Sequence, residues 1–202
     1  MYWGNVKEKK EKIKKTIKEK KGNAADLNLT LVAMLRYAGI DANPLVISTK
    51  DNFIPYFPTV DRLNYVIAYA VIDEMKYFLD ATDEFSDINV LPIKDYNWKG
   101  ILIDNHKSVW KQVNIIQPEM AVGQYIINAT LNEEGELNGK FSSRYNKHSA
   151  LKFRENYKNQ DIDGFLADRE KQFDNIEISN YSAKNTEVYE GYVSEYFEFY
   201  KE

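Results

Sequence analysis

The sequence has no cysteine, which excludes disulfides, thiolate metal sites and cysteine catalysis together, and leaves the redox compartment open. Histidine is almost as scarce, with only His106 and His148. No run approaches the roughly 18 apolar residues of a membrane-spanning helix, and no export signal is visible. There is neither an internal repeat nor a low-complexity linker. The opening MYWGNVKEK begins so abruptly that it reads as an internal piece of a longer protein.

What is present fits a globular chain. Two hundred and two residues, 44% hydrophobic and 14% aromatic, suffice for one large domain or two small ones. The 15 tyrosines favour half-buried strands over a dry aliphatic core. The net charge of −4 hides an asymmetry: Lys7–Lys21 holds nine lysines against three glutamates, so the remainder is strongly acidic. A basic block raises the question of nucleic acid or anionic lipid. Here Glu8, Glu11 and Glu19 alternate with the lysines at helical spacing, no arginine occurs and no aromatic is interleaved to stack on bases. The block is read as a solvated helix face, and no nucleic-acid partner is expected.

Val6–Lys21 reads as an amphipathic helix with a thin stripe of Val6, Ile13 and Ile17, broken by Gly22. Asn23, with Asp26 three residues on, is a capping pair. The helix from Ala24 to Ala38 is apolar nearly all round, which predicts a place in the middle of a fold, and Gly39 ends it. ANPLVIST is a strand, and Lys50–Arg62, with Pro55 and Pro58, is a long loop. Asn64–Asp73 with Lys76–Thr82, and Lys99–Ile115, read as antiparallel hairpins. After Pro118 the texture changes to a hairpin turning at Asn-Glu-Glu-Gly, two short helices (148–159 and 163–173) and two strand-like segments. The last strand ends the chain with no partner after it, which points to a second domain cut short. The fold class expected is therefore α+β with antiparallel sheets.

Three segments, GNAADLNLTLVAMLRYAGI, LNYVIAYAVID and YFLDATD, together resemble the transglutaminase-like superfamily of papain-type Cys-His-Asp folds. The closest likeness is to a bacterial branch whose core sits between β-rich domains. That family runs Gly-x-Cys at the start of a helix ending in Arg-x-x-Gly-Ile, then a strand with the His, then a neighbouring strand ending in the Asp. The likeness covers about Trp3 to Ile115. It implies a core in residues 1–116, its N-terminal part missing, and an incomplete β-rich domain in 117–202. Carried over residue by residue, the nucleophile position falls on Ala24, the base on Tyr65 and the orienting acid on Asp80. Alanine has no nucleophile, and a phenol of pKa near 10 is a poor base at neutral pH. Thr30, inside the helix, and Ser48, with no base beside it, are poor substitutes. The resemblance thus implies an inactive module rather than an enzyme.

Other features carry two readings each. Asp80 either makes a turn in DATD or accepts a hydrogen bond from Tyr65 as a structural strut. Asn23 is a cap or a binding residue. Asp80, Asp83, Glu84 and Asp87 offer oxygen ligands for Ca²⁺ without the EF-hand spacing, or form a solvated acidic loop; no metal and no cofactor are expected. Trp3, Trp98 and Trp110, with Tyr56 and Phe57 of the long loop, line a relic groove or belong to the core. Binding candidates are Asn23, Asn64, Tyr56, Phe57 and Asp83. The expected role is to hold a peptide, glycan or protein segment in the relic cleft, within a larger periplasmic, cell-envelope or secreted bacterial protein beside flanking domains of the same chain. The alternatives are a hydrolase with a metal or carboxylate site near Asp80, which needs a metal or a second carboxylate facing it across a cleft, and a structural spacer whose cleft is plugged by the Tyr65 ring.

Overall fold

The computed structural model describes residues 6–52, 62–104, 107–115, 120–187 and 191–202. Trp3, Tyr56, Phe57, His106 and the expected boundary at Gln117 lie outside the described residues. The chain is α+β and separates into two compact units, Met1–Pro118 and Glu119–Glu202.

Unit 1 begins with helices α1 (Val6–Glu19) and α2 (Ala24–Tyr37). Five antiparallel strands follow: β1 (Asp41–Ile47), β2 (Tyr65–Ile72), β3 (Met75–Leu79), β4 (Lys99–Asp104) and β5 (Val109–Asn114), in the order β3-β2-β1-β4-β5. The β2–β3 hairpin closes on Asp73 and Glu74 at φ 48° and 66°, the two left-handed positions a tight two-residue turn demands. Strand alternation gives the sheet two different faces. Ala42, Ala68 and Ala70 present small side chains to Val32 of α2, with Leu31 and Leu35 packed alongside. The opposite face carries Leu45, Ile47, Ile67, Tyr69 and Phe78, covered by Leu91 and Tyr96 from the β3–β4 connection.

Two expectations need correction here. Helix α2 is not enclosed: its buried positions are Asn28, Thr30 and Val32, while Leu29, Met34 and Tyr37 are exposed. The sheet covers one side only, and polar Asn28 and Thr30 are buried because each is hydrogen-bonded, Asn28 to Val66 and Asp80 and Thr30 to Asp26 of its own helix. In α1 it is Thr16 that is buried, while Ile17 is exposed. Gly22, between the helices, is needed for close approach, since a Cβ there would stand 2.7 Å from Asp26 Cβ.

Unit 2 is a four-stranded antiparallel sheet with two helices. Its elements are β6 (Gly123–Leu131), β7 (Leu137–Tyr145), α3 (Lys147–Lys158), α4 (Ile162–Gln172), β8 (Glu177–Lys184) and β9 (Val193–Lys201), and the strand order is β6-β7-β9-β8. The final strand is therefore not unpaired: β9 lies inside the sheet, bonded to β7 over its whole length and to β8 on the other side. Its alternation of Val193, Glu195, Phe197 and Phe199 toward one face suits an interior strand. The helices pack on β7, β8 and β9, over an aromatic core of Phe141, Tyr145, Phe153, Phe165 and Phe197.

Candidate functional site

The first turn of α2 is built as the sequence implies. Asn23 Oδ1 accepts from Asp26 N–H at 2.9 Å, and Asn23 N–H donates to Asp26 Oδ2 at 3.3 Å, a reciprocal capping box. Asn23 is thus fully engaged as a cap, and Ala24 follows as the first helical residue, half-buried. One turn further on, Asn28 has no solvent exposure. Its amide donates to Val66 O at 3.0 Å and to Asp80 Oδ1 at 2.7 Å, and its carbonyl accepts from Ala81 N–H at 2.8 Å. Both amide hydrogens and the carbonyl of this side chain are engaged. It ties α2 to the start of β2 and the end of β3, the two places where Tyr65 and Asp80 stand.

Asp80 is a hub. Oδ1 also accepts the Thr82 N–H at 2.9 Å, and Oδ2 accepts the hydroxyls of Tyr65 and Thr82, each at 2.9 Å. The two hydroxyls lie 2.6 Å apart, so two protons serve three close contacts. Asp80 therefore makes both the turn and the strut that the sequence left as alternatives. Burial, joined by the Asp80 charge, holds the Tyr65 hydroxyl well above the ordinary phenol range. It is a donor here, not a base. The Tyr65 ring packs against the Ile67 and Tyr69 face rather than with the alanines under α2, and Lys94 Nζ stands 4.7 Å from its centroid.

Sequence reasoning missed Asp95. It closes a short 3-10 turn, Ile93–Asp95, and is completely buried. Among the described residues neither carboxyl oxygen has a hydrogen-bond partner. Burial, followed by the neighbouring Asp80, pushes Asp95 up to about 8, and Lys94 acts in the other direction. The protonated form of Asp95 is therefore favoured at neutral pH. An aspartate set inside the apolar and aromatic run Leu91–Trp98 was the available signal.

The remaining candidates do not join this cluster. Asn64 locks the end of β1: its Oδ1 accepts from Thr49 N–H at 2.9 Å, and its Nδ2 donates to Thr49 Oγ1 at 3.0 Å. Asp83 caps its own turn through Phe85 N–H at 2.8 Å. Asp87 holds Ile88 N–H, and Asn52 ties the base of the long loop to Ser48 Oγ at 3.0 Å and Arg62 O at 2.9 Å. The Thr30 hydroxyl donates to Asp26 O along the helix. Trp98 and Trp110 are exposed and belong to neither core. Among the described residues no group of three or more Asp, Glu or His could hold a metal ion, and no helix is long and apolar enough to cross a membrane.

Chemically, the cluster offers one carboxylate saturated with donors, one buried acid and no nucleophile at position 24. No family model matches the chain, nor does any curated protein or solved structure.

Proposed function

We propose that unit 1 is a catalytically inactive transglutaminase-like module that binds without turning over, holding a peptide, glycan or protein segment near α2, the start of β2 and the 50–62 loop. The observation that carries this reading is the Asn28–Asp80–Tyr65 network. It joins the helix, the base strand and the acid strand in the order the family uses, around a helix start that has only Ala24 where a thiol would stand. A larger cell-envelope or secreted bacterial protein is the context that the resemblance implies.

The test restores the missing groups. Ala24→Cys with Tyr65→His should give a thiol that an alkylating probe labels faster at pH 6 to 7 than a free thiol, and the rate should drop on adding Asp80→Asn. Labelling at the free-thiol rate would mean that positions 24 and 65 do not face each other, and the reading would fall. The raised proton affinity of Asp95, to which neighbouring Asp80 contributes, favours a second reading, carboxylate-based hydrolysis, because a buried carboxyl with a perturbed proton affinity is the raw material of acid–base chemistry. The complete burial of Asp95 ranks it lower.

A further inference from the structure

The two edges of the unit 2 sheet differ. At one edge β8 carries Glu177 and Lys184, and its pairing with β9 shifts register between Ser179 and Ser182. Charge and irregular pairing are the usual devices that stop an edge from recruiting another strand. At the other edge β6, GQYIINATL, has none of them: no charge, no proline, and an unbroken nine-residue register with β7 from Gly123 to Leu131. Its outer backbone edge has no partner strand among the described residues.

Its side chains are exposed as well. Tyr125 is 57% exposed, Ile127 58% and Leu131 67%, although their register opposite Ser143, Phe141 and Leu137 puts them on the face that forms the aromatic core further along. Helices α3 and α4 cover that face over β7, β9 and β8. Ile126, on the reverse face, is 64% exposed. An apolar, uncharged edge of this length is a pairing surface.

The strand's own sequence indicates what pairs with it. In an antiparallel two-fold pairing centred on Ile127, that residue meets its own copy. Tyr125 then faces Ala129, and Gly123 faces Leu131, so large side chains meet small ones on the core-side face. On the reverse face Gln124 meets Thr130, and Ile126 meets Asn128. No like charges are brought together. We propose that β6 is the two-fold interface of a homodimer, in which the sheets of two copies join edge to edge into one eight-stranded sheet.

Sedimentation velocity of the full chain, from low to high micromolar concentration, tests this. The wild type should show a concentration-dependent dimer. Ile127→Lys sets two lysines against each other at the two-fold and should raise the dissociation constant by roughly tenfold or more, with unchanged circular dichroism. Ile126→Lys, on the other face, serves if the first variant folds poorly, and Ser182→Lys on β8 should leave the dimer intact. A wild type that is monomeric throughout, or a dimer that persists in both β6 variants, would overturn the proposal.

Discussion

Each unit buries a carboxylate, and the two neutralise it differently. In unit 1, Asp80 is surrounded by neutral donors from Asn28, Tyr65 and Thr82, and it adds to burial in raising the proton affinity of the Asp95 carboxyl. In unit 2, Glu195, 2% exposed on β9, is held by Arg169 of α4, whose Nε donates to Oε1 at 3.0 Å and whose Nη2 reaches Oε2. Tyr145 and Ser143 complete the shell from β7. Contact with Glu195 and Tyr145 outweighs burial and raises the Arg169 proton affinity. The comparison separates two kinds of fragility. Many weak neutral donors make a carboxylate tolerant of losing one of them. A single cation makes the other carboxylate dependent on one side chain.

The largest effect should come from removing that side chain. Arg169→Met leaves Glu195 buried without its cation, a situation that costs on the order of 3–5 kcal/mol. Denaturant unfolding, followed by hydrogen exchange in β7 and β9, should show unit 2 losing most of its protection. Adding Glu195→Met should recover a large part of it, because an apolar pair of similar volume has no charge to strand. A single variant as stable as wild type would break the contrast between the two clusters.

Next in size is the pH dependence of unit 1. An unfolded aspartate releases its proton near pH 4, and folded Asp95 near 8. Between these values unfolding releases a proton, so stability is fully present at low pH and is lost as pH rises toward 8, by at most about 1.4 kcal/mol per pH unit. Asp95→Asn keeps the size and shape of the side chain without a titrating proton. Its denaturation midpoint for unit 1 should change little between pH 5 and pH 8, where the wild type falls. Parallel slopes in the two proteins would show that the proton lies elsewhere.

How much of this was legible in the sequence depended on how local the cause was. The β2–β3 and β6–β7 hairpins, the Asn23 cap and helices α3 and α4 follow from patterns within a few residues. The contact between Tyr65 and Asp80 was legible as one of two alternatives for Asp80, since the two residues flank the same β2–β3 hairpin. What escaped was non-local. The insertion of β9 between β7 and β8 depends on β7, which lies beyond both helices and β8 in the chain. The enclosure expected of α2 failed because hydropathy counts Asn28 as a solvent residue, whereas β2, Asp80 and Ala81 supply its partners. Glu195 left a faint trace, as a charge in the apolar register with Val193, Phe197 and Phe199. A buried charge in such a register demands a counterion, but nothing in β9 names Arg169.

The smallest effect, and the most discriminating, should follow Tyr65→Phe. The hydroxyl it removes is one of four donors that Asp80 receives from Asn28, Tyr65 and Thr82. The Thr82 hydroxyl, 2.6 Å from the lost oxygen, is then free to give its proton wholly to Asp80. The cost should therefore be about 1 kcal/mol, that of a hydrogen bond whose acceptor stays satisfied. A cost near that of Arg169→Met would mean that Asn28 and Thr82 cannot make up for the lost Tyr65 donor.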